Sequence, residues 1–367
     1  MKNIINTSER IVKFMIGVIT EFNPFHKGHE YFLAEAKRLA GCDTLACVMS
    51  GDFVQRGEPA VFDKFSRASQ AVKNGADLVV ELPLPWSLSS AEYFAKGGVS
   101  ILEALGADCI AFGSECGDID ALTECKQRIL YEESGIKEYM QLHPEMNYPS
   151  ARREVIGSEL LDYPNNLLGI EYLKAASVPC ITVKRENSEH DGFNSAKEIR
   201  DEMKTLGLGV NYAALDLAAV SRLRMFGKEY FNNLPDSEDG IGNRLYEAVR
   251  EENAVEAICS AAKTKSVTLS AVRRLLWCAV LGVEKGLNEN APPYIRVLAF
   301  NEKGREILKN ETKLPVISNP RQVFDLDAFA QKVFALGASA NDLHKLGFIG
   351  KTEQNCGEDY RKSPIIV

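Results

Sequence analysis

From Met15 to about Arg200, short apolar runs alternate with amphipathic stretches. The runs Met15–Thr20, Thr44–Met49, Asp77–Leu82, Asp108–Phe112 and Cys180–Lys184 are rich in β-branched residues and read as strands. Between them, helix-like segments cover His29–Leu39, Lys64–Asn74, Ala91–Leu105 and Ile119–Leu142. Such alternation predicts an α/β fold, a parallel sheet covered by helices on both faces. Gly75 and Gly106 each close a helix and feed a strand. In such sheets the ligand lies beyond the carboxyl ends of the strands. The loop holding His26 and His29, and Gly113-Ser114-Glu115, both fall at such ends.

The pattern changes after Arg200. Leu215 to about Leu287 is helical in character, with Ser270–Leu281 a strong amphipathic helix. Pro292-Pro293 closes that stretch, then Tyr294–Phe300 reads as a strand and Glu302–Leu308 as a helix. A boundary is expected at 205–212, around Gly207-Leu208-Gly209. The division expected is an extension over 1–14, an α/β domain over 15–207 and a mainly helical part over 208–367. The last dozen residues are polar and are expected to be disordered.

Composition narrows the classes. The first 14 residues lack the apolar centre of a signal peptide. No apolar run approaches the ~20 residues of a membrane span. Nine scattered cysteines without a C-x-x-C pair suggest reduced thiols in the cytoplasm, with neither a disulfide framework nor a zinc site. A net charge of −8 argues against a uniformly basic coat but leaves room for a local basic face.

The chemistry concentrates at His26-Lys27-Gly28-His29, between the first strand and the first helix. A helix start there turns backbone N–H groups and a positive dipole end toward an anion. The imidazoles, three residues apart, can face one phosphate, and Gly28 lets that phosphate approach the backbone. On this reading the histidines stabilise charge developing at an attacked α-phosphorus as pyrophosphate leaves. A metal site, or one capping and one packed histidine, are the alternatives.

Ser195 and Glu198 form a candidate capping box, with Arg200 one turn in, either reaching a phosphate or solvated. Asn165 and Asn166 open a helix, one as its cap and the other free to read a ribose or base. Arg185 follows the Cys180–Lys184 strand. Ser50 to Ala60 is a long loop of the kind that serves as a lid or a binding loop. Lys64 and Arg67, three apart, either bind a small carboxylate or phosphates or lie on a solvated face. Arg222, Arg224, Lys263, Lys265, Arg273 and Arg274 form a basic face for nucleic acid or dispersed solvated charges.

Phe22-Asn23-Pro24-Phe25-His26-Lys27-Gly28-His29 resembles the H-x-G-H signature of the nucleotidylyltransferase superfamily. The set Ser50–Ala60, Asp77–Pro83, Phe112–Glu115, Asn165–Tyr172 and Tyr294–Asn301 resembles the bacterial tRNA(Met) cytidine acetate ligases, from Met15 to roughly Leu346. The resemblance implies a Rossmann-like nucleotidylyltransferase domain and a two-step reaction. Acetate and ATP form acetyl-adenylate. The acetyl group then passes to the N4 amine of the wobble cytidine of elongator tRNA(Met). It implies catalytic roles for His26, Lys27 and His29. ATP contacts are implied for Thr20, Glu21, Phe22, Asn23, Pro24, Phe25, Gly28, Gly113, Asn165, Asn166, Arg185, Ser195 and Arg200. Mg2+ is expected with ATP. A small-molecule adenylyltransferase would leave about 160 C-terminal residues unexplained. A non-catalytic RNA- or nucleotide-binding protein is the third reading.

Overall fold

The computed structural model describes residues 14–185, 196–238, 240–348 and 354–367. Its centre is a mixed sheet of order β10 (Ile365–Ile366), β8 (Ile295–Phe300), β5 (Leu78–Leu82), β2 (Leu45–Ser50), β1 (Ile16–Thr20), β6 (Cys109–Ser114) and β7 (Cys180–Lys184), with β9 (Val316–Ile317) beside β8. The middle strands are β1 (Ile16–Thr20), β2 (Leu45–Ser50), β5 (Leu78–Leu82), β6 (Cys109–Ser114) and β7 (Cys180–Lys184). All of their pairings are parallel. The inner residues of β1, β2, β5 and β6 are almost all buried, as continuous apolar runs between two helical layers require, while β7 at the sheet edge is mostly half-buried. The chain goes from β1 to β2 and β5 on one side, then to β6 and β7 on the other. The topological switch point therefore lies between β1 and β6, where α/β sheets bind ligands.

The helix α1 (Lys27–Ala40) follows β1, α2 (Lys64–Lys73) precedes β5, and α4 (Ala91–Leu105) follows the short α3 (Leu84–Ser87). Gly106, at φ 85°, closes α4 in the left-handed conformation that glycine tolerates. The expected helix over Ile119–Leu142 is two helices, α5 (Ile119–Tyr131) and α6 (Glu133–Leu142), meeting at Glu132. Helices α7 (Tyr148–Ile156), α8 (Pro164–Ala175) and α9 (Ala196–Thr205) complete this part.

The segment from Ser50 to Ala60, expected as a long loop, is a small antiparallel hairpin of β3 (Phe53–Val54) and β4 (Glu58–Pro59). Phe53 is buried against Trp277, ring centroids 4.9 Å apart. That ties the hairpin to a second core. This core is built by α10 (Tyr212–Leu223), α11 (Lys228–Asn232), α12 (Ile241–Glu251), α13 (Val255–Ala262) and α14 (Leu269–Leu281).

The chain then returns to the sheet. Strand β8 (Ile295–Phe300) pairs antiparallel with β5, and β9 (Val316–Ile317) pairs parallel with β8. Helices α15 (Glu302–Ile307) and α16 (Ala328–Lys345) follow. The polar tail, expected to be disordered, instead adds β10 (Ile365–Ile366) parallel to β8. Asp359 anchors it. This residue is wholly buried and accepts from Lys64 Nζ at 2.6 Å and from Arg296 Nη1 at 2.9 Å. All nine cysteines are free thiols. No helix among the described residues is long and apolar enough to cross a membrane.

Candidate active site

The histidine turn lies where the switch point places a ligand. His26 is the N-cap of α1. Its Nδ1 accepts from the Gly28 N–H at 3.1 Å, and its own N–H donates to His29 Nδ1 at 3.3 Å. Both Nδ1 lone pairs are thus occupied, so each neutral ring carries its proton on Nε2. The rings lie 3.8 Å apart between centroids, tilted by 33°. Phe22 meets His29 edge-on at 5.0 Å, and Phe25 packs at 5.7 Å. The result is two braced N–H donors side by side.

Their electrostatics favour neutrality. Burial lowers His26 to about 4, helped by the charges of Arg185 and Arg200. Burial likewise holds His29 well below the ordinary imidazole value, with His26 and Arg185 adding to it. Neutral donors are compatible with ATP binding, and hydrogen bonds from such donors strengthen as charge builds on a phosphoryl group. The helix start contributes less than its sequence suggests, because the Gly28 N–H is taken by His26. Gly28 has a different purpose from open access to the backbone. A Cβ there would stand 2.9 Å from His26 Cε1, so the missing side chain makes room for the folded-over ring.

The remaining loop residues are mostly braces. Asn23 is buried; its Oδ1 accepts from the Val61 N–H at 2.8 Å and its carbonyl accepts from Arg200 Nη1 at 2.8 Å. Phe22 holds φ 46°, a left-handed conformation for a bulky residue, and its buried ring packs on Phe25. Pro24 is buried behind it. Thr20 Oγ1 and Ser50 Oγ, at the carboxyl ends of neighbouring strands, are buried without a partner among the described residues. Glu21 is half-buried, and its Oε1 accepts from the Gln55 N–H at 2.7 Å. Lys27 points to solvent and pairs with Glu30 at 2.8 Å.

Across the switch point, the stem of Arg185 lies over Gly113, whose added Cβ would meet Arg185 Cγ at 3.4 Å. Arg185 is exposed and its guanidinium has no hydrogen bond among the described residues, so with Arg200 it supplies positive charge beside the histidines. Ser195 lies outside the described residues.

Several expected ligand contacts prove to be internal. Asn165 and Asn166 are committed to Glu115. That carboxylate accepts from Asn165 Nδ2 at 2.6 Å and from the Asn166 N–H at 2.9 Å, while Asn166 Oδ1 takes the Glu115 N–H at 2.9 Å. Glu115 thereby occupies the anion position at the start of α8. Lys64 and Arg67, expected either to bind a small carboxylate or phosphates or to lie on a solvated face, are buried. Lys64 Nζ is shared between Glu81 at 2.7 Å and Asp359 at 2.6 Å. Arg67 donates to the carbonyls of Phe62 at 2.9 Å, Glu21 at 2.6 Å and Gly51. Three of its five N–H donors are thus spent on backbone carbonyls, which makes Arg67 an internal brace of the loops around β1 and β2.

The six basic candidates after residue 208 divide in the same way. Arg224 donates to the carbonyls of Val249 at 3.1 Å and Glu252 at 3.0 Å. Arg273 grips Glu256 at 2.5 Å and reaches Glu58 at 3.5 Å. Arg274 Nη1 donates to the Gln55 carbonyl at 3.3 Å. These three hold the helical core and the hairpin. Arg222, Lys263 and Lys265 are exposed. One cation was missed: Arg56 stands exposed at the hairpin tip, and its charge reaches Glu21. Its only sequence signal was its place in the Ser50–Ala60 segment.

No group of three His, Cys, Asp or Glu side chains among the described residues is placed to hold a metal. A Mg2+ arriving on ATP would be held mainly by the phosphates, as that ion commonly is. A cavity of about 480 Å3 opens elsewhere, beside the C-terminal half of α4. Its Lys96 and Lys174 are already paired with Glu92 and Glu171.

A mainly parallel sheet with paired histidine donors at its switch point defines a nucleotidylyltransferase of the H-x-G-H class. The HIGH Nucleotidyl Transferase family model matches residues 14–219 and 209–359. The tRNA(Met) cytidine acetate ligase of Thermoanaerobacter sp. (strain X514) is 34% identical, over 91% of this chain and 98% of that one. That of Clostridium kluyveri is 35% identical, over 96% and 98%. Thermotoga maritima TmcAL, crystallised with alpha-thio ATP, superposes with a TM-score of 0.86 at 29% identity, over 96% of this chain and 99% of that one. The chain belongs to the tRNA(Met) cytidine acetate ligase family.

Proposed function

We propose that this protein activates acetate with ATP and transfers the acetyl group to the N4 amine of the wobble cytidine of elongator tRNA(Met). By family it is an ATP-dependent tRNA-modifying ligase with ATP as substrate. The full-length similarity to proteins of that name carries the reading, and the paired Nε2–H donors supply its chemistry. An acetate oxygen attacks the α-phosphorus, the bond to the bridging oxygen breaks, and pyrophosphate leaves. Positioning and charge neutralisation drive such a step, without a protein nucleophile. His26 and His29 would donate to the phosphates, with Arg185 and Arg200 adding positive charge. Thr20, Glu21 and Gly113 would line the nucleotide, while Phe22, Asn23, Pro24 and Phe25 shape the loop.

The helical part from residue 208 is our candidate for the RNA-facing region, with the exposed Arg222, Lys263 and Lys265 as its candidate cations. With substrates of this kind the protein would work in the cytoplasm. The test is acetate-dependent exchange of labelled pyrophosphate into ATP without RNA, followed by acetylation of a tRNA(Met) transcript. Exchange that requires acetate and is lost in His29→Ala supports the reading. Transfer of AMP to another acceptor, with no acetate requirement, would replace it with a small-molecule adenylyltransferase.

A further inference from the structure

The second half-reaction needs a base. When a cytidine amine attacks the acetyl carbonyl carbon, a C–N bond forms and the bond from that carbon to the adenylate oxygen breaks. AMP leaves with the electron pair, and the nitrogen must shed a proton. Neither histidine is arranged to take it. Each Nδ1 lone pair is occupied by a backbone N–H, and each Nε2 already carries hydrogen. The neighbouring carboxylates are also committed. Glu115 caps α8 through Asn165 and Asn166. Asp52 accepts from the Lys64 N–H at 2.8 Å and from Asn341 Nδ2 at 2.9 Å. Glu58 faces Arg273 at 3.5 Å.

Glu21 differs from all of these. It stands between the last residue of β1 and the histidine loop, at the switch point. One oxygen is fixed by the Gln55 N–H at 2.7 Å, and the other has no partner among the described residues. Cations surround it without pairing with it. Arg67 of α2 donates to its backbone carbonyl, and Arg200 of α9 to the Asn23 carbonyl. Arg56 reaches it from the hairpin, and the buried Tyr172 faces it from α8. We propose that the Glu21 carboxylate is the general base of the acyl-transfer half-reaction, taking the proton from the attacking amine. This rests on the functional reading above and adds a role to a residue otherwise expected only beside ATP. Burial raises the Glu21 carboxyl above the usual carboxylate range, which brings it nearer the pH at which a base is most effective.

The experiment separates the two half-reactions. Acetate-dependent pyrophosphate exchange reads the first, and single-turnover acetyl transfer to tRNA(Met), followed by rapid quench, reads the second. Glu21→Gln retains an oxygen for the Gln55 N–H but cannot accept a proton. Transfer should fall by about a hundredfold or more, while exchange falls far less. The wild-type transfer rate should rise with pH through the Glu21 titration, and that rise should vanish in Glu21→Gln. Glu21→Asp should recover part of the rate together with the pH dependence. Equal losses in exchange and transfer would assign Glu21 to nucleotide positioning and overturn the proposal, as would wild-type transfer in Glu21→Gln. Wild-type enzyme without acetate-dependent exchange would sink the functional reading itself, and the base with it.

Discussion

At the scale of single residues, the site depends on two imidazoles held in one tautomer. Burial is the largest cause of the shift that leaves His26 at about 4. Its ring should therefore stay neutral where a free histidine, near 6.5, titrates. The unfolded chain binds more protons than the folded one between those values, so this group favours unfolding as pH falls from about 6.5 toward 4. Ring 15N NMR of the free enzyme should show Nδ1 unprotonated and no His26 titration between pH 8 and about 5. A midpoint near 6.5 would mean that the braces do not persist in solution. Gly28 gives a second handle. Alanine would bring Cβ to within 2.9 Å of His26 Cε1 and displace the ring. Alanine is also the better helix former, by about 1 kcal/mol in a helix interior. Gly28→Ala should thus keep its melting temperature yet lose at least about tenfold in exchange kcat/KM, since one misplaced group readily costs that much. Unchanged kinetics would show that the ring has another place to go.

Whole elements were legible wherever the hydrophobic period was regular and neighbours were close in sequence. The five parallel strands, α4 and the α14 helix follow their patterns to within a few residues. The break at Glu132 was hidden because α5 and α6 are both amphipathic and nothing local ends the first. The hairpin is stabilised by Trp277, more than two hundred residues away, and local pattern carries no such contact. The tail was misread for the same reason, because the partners of Asp359 are remote. Lys64, Glu81, Arg296 and Asp359 form a buried network with two charges of each sign. Asp359→Asn would leave two buried cations with one carboxylate. Breaking a buried network in this way typically costs about 3–5 kcal/mol. The urea midpoint, followed by tryptophan fluorescence, should fall accordingly. Lys285→Ala, which breaks an exposed pair with Glu238, should leave the midpoint nearly unchanged. Equal effects from the two would show that the tail is dispensable to the core.

For the molecule as a whole, the question is how a protein of net charge −8 holds a polyanion. Its local positive potential must exceed the repulsion of the rest, and only cations not already spent can supply it. The histidine turn was visible in sequence because its residues are contiguous. Which of the basic candidates stay exposed was not, because a cation's pairing depends on chain neighbours far along the sequence. Arg224, Arg273 and Arg274 hold carbonyls and carboxylates, whereas Arg222, Lys263 and Lys265 remain exposed on helical ends and loops. Each exposed cation that meets a phosphate releases counterions, so its removal should lower the salt slope of tRNA affinity by about 0.7–0.9. Lys263→Ala and Lys265→Ala should therefore weaken tRNA binding and flatten its dependence on KCl, with acetate-dependent exchange as the internal control for the site. Arg224→Ala should instead lower thermal stability, because two carbonyls lose their donors, and leave the salt slope as it was. Binding measured across 50 to about 300 mM KCl separates these outcomes. If neither lysine variant changes the slope, the RNA lies on another face, and the exposed Arg56 beside Glu21 is the next cation to remove.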